Sequence, residues 1–287
     1  MDPPEQYRRA RLIAERLPHV GMRPVRFPHP APDAPLGGWT LLGRDRLLAS
    51  PTTANPFPHG VVHFEEDRVN PPNRAYLKLW EALTRSPDRP QPGERAVDLG
   101  AAPGGWTWVL ARLGASVLAV DKAPLAPSIE ALPEVTTERS SAFALTPHHL
   151  GPIDWLCSDV ICYPQRLYRL VCDWLDQGQV RNFIVTVKFQ HETDFTTQEA
   201  FAALPGSQLI HLHHNKHELT WLNLERWRTP PSAVRSGSCH RPGPDDPSIP
   251  SHGPHESPAP TTTPASGGVT SAPCWTAPPT RGRSPGR

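Results

Sequence analysis

Asp98-Leu99-Gly100-Ala101-Ala102-Pro103-Gly104-Gly105-Trp106 is the stretch that decides the fold. An apolar run over 95–99 stops at Gly100, and a helical pattern opens at Trp106. Small residues at such a turn let a ligand approach the backbone, because no Cβ stands in its way. The helix that follows offers free N–H groups and the positive end of its dipole. In an open α/β sheet, ligands bind outside the carboxyl ends of the strands. The alternative is a tight strand-to-helix turn without a ligand, and Asp121 weighs against it. It follows the next apolar run, 116–120, where a carboxylate can accept hydrogen bonds from both hydroxyls of a ribose. Glycine turn, helix and carboxylate together indicate an adenosine-containing cofactor. The G-x-G-x-x-G spacing of dinucleotide binders is absent, since Ala101, Ala102 and Pro103 follow Gly100.

Outward from this turn the chain alternates. Strand candidates at 95–99, 116–120, 153–157 and 183–187 are separated by helical segments at 106–113, 128–132 and 165–176. Asn70 is placed to cap an earlier helix, with Pro71 and Pro72 in its first turn and Leu77, Trp80 and Leu83 at helical spacing. The runs 209–213 and 220–224 read as a final antiparallel pair. The expected fold is α/β, a mostly parallel sheet with an antiparallel edge pair and helices on both faces, over residues 61–228. Residues 1–60 read as a short, partly irregular extension. A basic helix over 6–17 carries Arg8, Arg9, Arg11 and Arg16, prolines recur from 24 to 35, and 39–48 holds a strand or two. Residues 229–287 are rich in Pro, Ser, Thr and Gly and are expected to be disordered.

Bulk composition excludes several classes. The formal net charge of the 287 residues is +1, so no global basic field advertises nucleic acid, although a local basic face remains open. No apolar run is long enough to span a bilayer, and the charged N-terminus lacks the apolar core of a signal peptide. A cytoplasmic protein is the expectation. The five cysteines form no C-x-x-C pair, which argues against a disulfide framework or a zinc site. His211, His213, His214 and His217 cluster, but in a strand-like segment with no accompanying glutamate motif. A solvent- or RNA-facing group is favoured over a metal site. Trp80, Trp108, Trp155 and Trp174 read as packing residues.

The stretch from Asp98 to Trp106 resembles the D-L-G-x-x-P-G-G-[WF] motif of FtsJ-type RNA ribose 2′-O-methyltransferases. From Asn55 to Arg228 the chain is similar to the ribosomal RNA large-subunit methyltransferase M family, through Asn55-Pro56-Phe57-Pro58-His59-Gly60, the helix around Lys78, and Val120-Asp121. That resemblance implies a Rossmann-like fold, S-adenosyl-L-methionine as cofactor and 2′-O-ribose methylation of RNA. The implied substrate is a cytidine of 23S ribosomal RNA, with no metal and no membrane; oligomeric state stays open. It implies a Lys-Asp-Lys-Glu tetrad, carried here by Lys78, Asp159, Lys188 and Glu218. It also implies cofactor contacts at Gly100, Ala102, Pro103, Gly104, Gly105 and Trp106 in the loop, at Asp121 on the ribose, and at Asp159 near the sulfonium. Ser141 stands where the family has an acidic residue for the adenine amino group, and Ala75 replaces a serine near the first lysine. Of the family's N-terminal RNA-binding region, with its THUMP domain, no more than a remnant is expected before Val61.

Lys188 is the expected general base for the ribose hydroxyl. Desolvation and the nearby Lys78 cation favour its neutral form, while Asp159 and Glu218 oppose the shift and hold the amine in line. N-methylation is disfavoured, because Ser158-Asp159-Val160-Ile161 occupies the place of an N-P-P-[YF]-like acceptor motif. The rival from another class is a non-catalytic RNA-binding protein that keeps the fold.

Overall fold

Apolar and β-branched runs bounded by turn residues become the strands of one seven-stranded sheet. The computed structural model describes residues 4–228 apart from 22, 34, 35 and 191, so the tail expected at 229–287 lies outside the described residues. Helix α1 (Pro4–Ala14) and the hairpin of β1 (Gly38–Leu41) and β2 (Leu47–Ser50) come first. Then follow α2 (Tyr76–Arg85), β3 (Arg95–Leu99), α3 (Gly105–Arg112) and β4 (Ser116–Val120). Next are α4 (Pro127–Glu130), β5 (Val135–Glu138), β6 (Ile153–Ser158), α5 (Pro164–Asp176) and β7 (Val180–Lys188). The last are α6 (Phe195–Ala203), β8 (Ser207–Ile210) and β9 (Glu218–Leu224).

The strand order is β5-β4-β3-β6-β7-β9-β8. β5, β4, β3, β6 and β7 are parallel neighbours, while β9 pairs antiparallel with both β7 and β8. This is the expected mostly parallel, Rossmann-like α/β sheet, with the antiparallel pair at its edge. Its consequence for the site is geometric. β3, β4, β6 and β7 all end at one edge of the sheet, and β9, running the other way, begins there.

Side chains alternate between the faces of a strand, so the sheet divides the core in two. One face gathers α2, α3 and the segments before them around Leu79, Leu83, Val109, Leu110, Ala96, Trp155 and Ile184. The other gathers α5 and α6 around Val97, Leu156, Val171, Trp174, Phe183, Val185 and Phe201. Trp80, Trp108, Trp155 and Trp174 are buried, as expected of packing residues, and so are Cys157, Cys162 and Cys172.

The proline-rich segment contributes to the first face. Phe27 stacks on Trp80 with ring centroids 4.8 Å apart, and Val25 bridges Phe64, itself edge-on to Trp80 at 5.5 Å. Phe57 is buried in the same cluster. The core therefore reaches back across residue 61, past the expected start of the domain.

Two local expectations are corrected. Asn70 does not cap a helix: α2 begins at Tyr76 with Ala75 at its N-cap. The preceding residues turn around Asp67, whose carboxylate accepts from the N–H groups of Val69 and Asn70. The run 209–213 is strand only to Ile210, and 211–217 is an irregular turn held by side chains described below. β5 and α6 had no expected counterpart. β5 is a short edge strand with no buried residue, and α6 has no amphipathic pattern, burying only Thr197 and Phe201. No helix among the described residues is long and apolar enough to cross a membrane.

Truncation of a large buried aromatic side chain costs about 3–5 kcal/mol. Trp80→Ala should lower the free energy of unfolding by about that amount in urea titration, since Trp80 joins α2, α3 and the segment at Phe27.

Candidate active site

The glycine turn leaves β3 and enters α3. Gly100 and Gly104 take positive φ values of 80° and 114°. A Cβ at Gly100 would lie 2.8 Å from the Val160 side chain, one at Gly104 2.8 Å from Ile129, and one at Gly105 2.2 Å from Asn73 Oδ1. These small residues are therefore dictated by the protein's own packing, where the sequence suggested ligand approach. The outcome is a loop pressed against the β6 exit, α4 and the approach to α2. Ala102 is half-buried and Pro103 exposed. The Asp121 carboxylate accepts from Ala102 N–H at 3.0 Å and Ala123 N–H at 2.9 Å, fixing the loop to the end of β4.

Trp106 lies in the first turn of α3. It is buried, and its indole N–H donates to the Ala75 carbonyl at 3.0 Å. It ties α3 to the residue that precedes α2, the helix that carries Lys78. Ser141 lies past β5 in a turn in which its Oγ accepts from Phe143 N–H at 3.3 Å.

Lys78, Asp159, Lys188 and Glu218 come together. Lys78 Nζ lies 3.0 Å from Asp159 Oδ1 and 2.8 Å from Glu218 Oε1. Lys188 Nζ lies 3.0 Å from the same Asp159 Oδ1 and also donates to the Asp159 main-chain carbonyl. One carboxylate thus bridges two ammonium groups. Lys188 and Glu218 are opposite residues of the β7–β9 ladder, yet Glu218 turns to Lys78 on the helix above. All four side chains are between 8 and 16 % exposed. Burial alone would push the Lys78 amine down, but Asp159 and Glu218 outweigh it and raise it above the usual lysine range.

The motif's first residue, Asp98, had no assigned role in the sequence. It is buried, Thr107 Oγ1 donates to its Oδ2 at 2.7 Å, and its Oδ1 has no hydrogen-bond partner among the described residues. Burial pushes its carboxyl up to about 7, against the Thr107 hydrogen bond, with the Asp159 and Asp121 charges adding to the rise. An orphaned buried acceptor is costly unless something supplies a donor. No side chain caps α3 either. An acceptor without a donor and a helix start without a cap fit a ligand that carries both an ammonium and a carboxylate group.

The histidines do not form a metal cluster with neighbouring ligands among the described residues. His211, His213 and His217 are exposed, and His214 packs on Glu81 at 2.8 Å. A cavity of about 390 Å³ opens at the opposite edge of the sheet, near Glu94, Trp155 and Arg181. Of its charged side chains, Arg181 pairs with Glu225 and with the neighbouring Asp154, and Arg226 with Asp88.

Residues 71–201 match the model of the FtsJ-like methyltransferase family. Over that stretch the chain is similar to FtsJ-like methyltransferases. Over 172 residues it is 39% identical to a ribosomal RNA large subunit methyltransferase M of Halorhodospira halophila, covering 57% of this chain and 50% of the relative. Over 188 residues it is 35% identical to the protein of that name from Aromatoleum aromaticum, covering 60% and 50%. The chain spans about half the length of the curated relatives it matches. A Methanococcus jannaschii fibrillarin pre-rRNA processing protein overlaps at 15% identity and a TM-score of 0.42, over 53% of this chain and 75% of its own.

Asp98 generates a pH signature. Its folded carboxyl binds a proton more tightly than the unfolded one, near 3.8, so its contribution to stability falls as pH rises from 3.8 to about 7 and stays low above. Asp98→Asn removes that titration. The melting temperature of the unsubstituted protein, taken relative to this variant, should decline between about pH 4 and pH 7 and level off above. A difference independent of pH would show that Asp98 does not titrate there.

Proposed function

We propose that the domain transfers a methyl group from S-adenosyl-L-methionine to a ribose 2′-hydroxyl of RNA, with a cytidine of 23S ribosomal RNA as the target. The observation that carries this reading is the meeting of Lys78, Asp159, Lys188 and Glu218 at the sheet edge where the glycine loop also ends. The FtsJ-like match and the relatives named as ribosomal RNA methyltransferases support it. In this reading Gly100, Ala102, Pro103, Gly104 and Gly105 form the cofactor loop. Asp121 retains lone pairs for ribose hydroxyls beyond the two N–H groups it already accepts. Bound S-adenosyl-L-methionine would supply a methyl group on a positively charged sulfur.

The residues' own chemistry divides the work. A ribose hydroxyl attacks only as it loses its proton, and Lys188 Nζ is the atom that takes it. Asp159 grips that nitrogen through Oδ1 and through its main-chain oxygen, which leaves the lone pair little freedom of direction. Lys78 is unsuited to the base role. Asp159 and Glu218 hold it as an ammonium, so it fixes the two carboxylates rather than accepting a proton. When Lys188 is neutral, the four groups carry one excess negative charge at the edge where a cationic donor would approach. Positioning contributes beside proton transfer, because methyl transfer requires an in-line approach.

Loss of a general base lowers turnover by roughly 10²- to 10⁴-fold. Lys188→Ala should lower methyl transfer to RNA on that scale while calorimetric affinity for S-adenosyl-L-methionine stays within about threefold. Undiminished transfer by the folded variant removes Lys188 from the mechanism. Ribose-methylation mapping of total RNA with and without the protein tests the substrate; an unchanged 23S map sinks the ribosomal assignment. The non-catalytic reading draws on Ser141, whose Oγ accepts from its own turn where the family has a carboxylate. Absence of S-adenosyl-L-methionine binding in calorimetry would favour it.

A further inference from the structure

Helix α2 carries a second buried charge one turn beyond Lys78. Glu81 is fully buried, and every contact of its carboxylate is a donor. Oε1 accepts from Arg85 Nε at 3.0 Å, Arg85 Nη2 at 2.8 Å and the His213 N–H at 2.9 Å. Oε2 accepts from the His214 N–H at 3.1 Å and from His214 Nδ1 at 2.8 Å. Burial alone would push the Glu81 carboxyl up. The His214 and His213 hydrogen bonds and the Arg85 charge bring it below the usual range. It is therefore a held anion, anchored on its own helix by Arg85 and aimed at the main chain of the β8–β9 turn.

That turn leads directly into Glu218. Asn215 is buried, and its Nδ2 donates to the Glu218 carbonyl at 3.2 Å and to Thr220 Oγ1 at 3.1 Å. The Lys216 N–H points at Glu218 Oε1 from 3.4 Å. The segment from His213 to Glu218 is thus pinned at both ends to one turn of one helix. Glu81 holds its start and Lys78, three residues earlier on the same face, holds its end. The spacing between the anchors is set by helical rise and cannot drift.

We propose that Glu81 is a positioning residue of the site, which sets the Glu218 carboxylate against Lys78 by clamping the β8–β9 turn to α2. This rests on the catalytic reading of Lys78 and Glu218 given above. Glu81 touches none of the reacting groups and acts only through the turn. A structural role elsewhere in the core would leave Glu81 and Glu218 independent; the clamp makes them dependent.

Double substitution tests this. Glu81→Gln keeps the shape but replaces one acceptor oxygen with a donor that faces main-chain N–H groups. It should reduce kcat for methyl transfer about tenfold, the equivalent of one lost buried hydrogen bond, with the KM for S-adenosyl-L-methionine nearly unchanged. In a Glu218→Gln background the same substitution should cost less than about twofold, because the group it positions is already gone. Hydrogen exchange read by mass spectrometry should show lost protection in the peptide over 211–218 and unchanged protection in β6 and β7. His214→Ala, at a less buried position, should give the same pattern in weaker form and serves if Glu81→Gln folds poorly. Losses that multiply in the double variant, or unchanged protection over 211–218, would overturn the proposal. If the unsubstituted protein methylates no RNA, the function proposed above falls, and the exchange comparison alone decides whether Glu81 holds the turn.

Discussion

The Asp159 carboxylate, shared between two ammonium groups, is the contact on which the arrangement of the site depends. It stands at the end of β6, Lys78 comes from α2, and Lys188 ends β7. Two like charges brought this close repel unless an anion lies between them, and buried ions are tolerated only when paired. The loss of Asp159 would leave two buried cations facing each other with Glu218 alone to balance them. Helix α2 is attached to the sheet by its apolar face and by this charge at its tip. The aromatic cluster around Trp80 thus supports the same helix that the ion pairs orient.

The reversed strand β9 solves a related problem. A fully parallel sheet would start its next strand at the far edge and deliver its first residues away from the loops. Running β9 backward against β7 brings Glu218 to the edge where Asp159 and Lys188 already stand. The cost is the connection after β8, which has to change direction without regular backbone hydrogen bonds. The Asn215 amide and the Glu81 carboxylate satisfy the groups that are left over.

Much of this was legible in the sequence, and what was missed has physical reasons. The strand ends at Leu99 and Val120 follow from apolar runs broken by Gly or Asp, and Arg95–Leu99 and Ser116–Val120 appear with the boundaries read, while β6 runs one residue past the expected 153–157. The four charged residues were found through family resemblance, since a lysine after an apolar run does not by itself announce its partners 81 or 29 residues away. The histidine turn was read as strand because its structure comes from Glu81, distant in sequence. Phe27 and Phe57 gave no signal because prolines interrupt every period around them.

Asp98 gives the loop a property beyond shape. Burial raises its carboxyl toward neutrality and its Oδ1 has no hydrogen-bond partner among the described residues, so its proton is open to displacement by a ligand that reaches it. Any ligand that brings a cationic donor to that oxygen stabilises the carboxylate and drives its proton into solution. Docking is then coupled to the medium. The heat absorbed or released includes the ionisation enthalpy of the buffer that receives the proton, and the apparent affinity rises as that buffer is set more alkaline through neutrality.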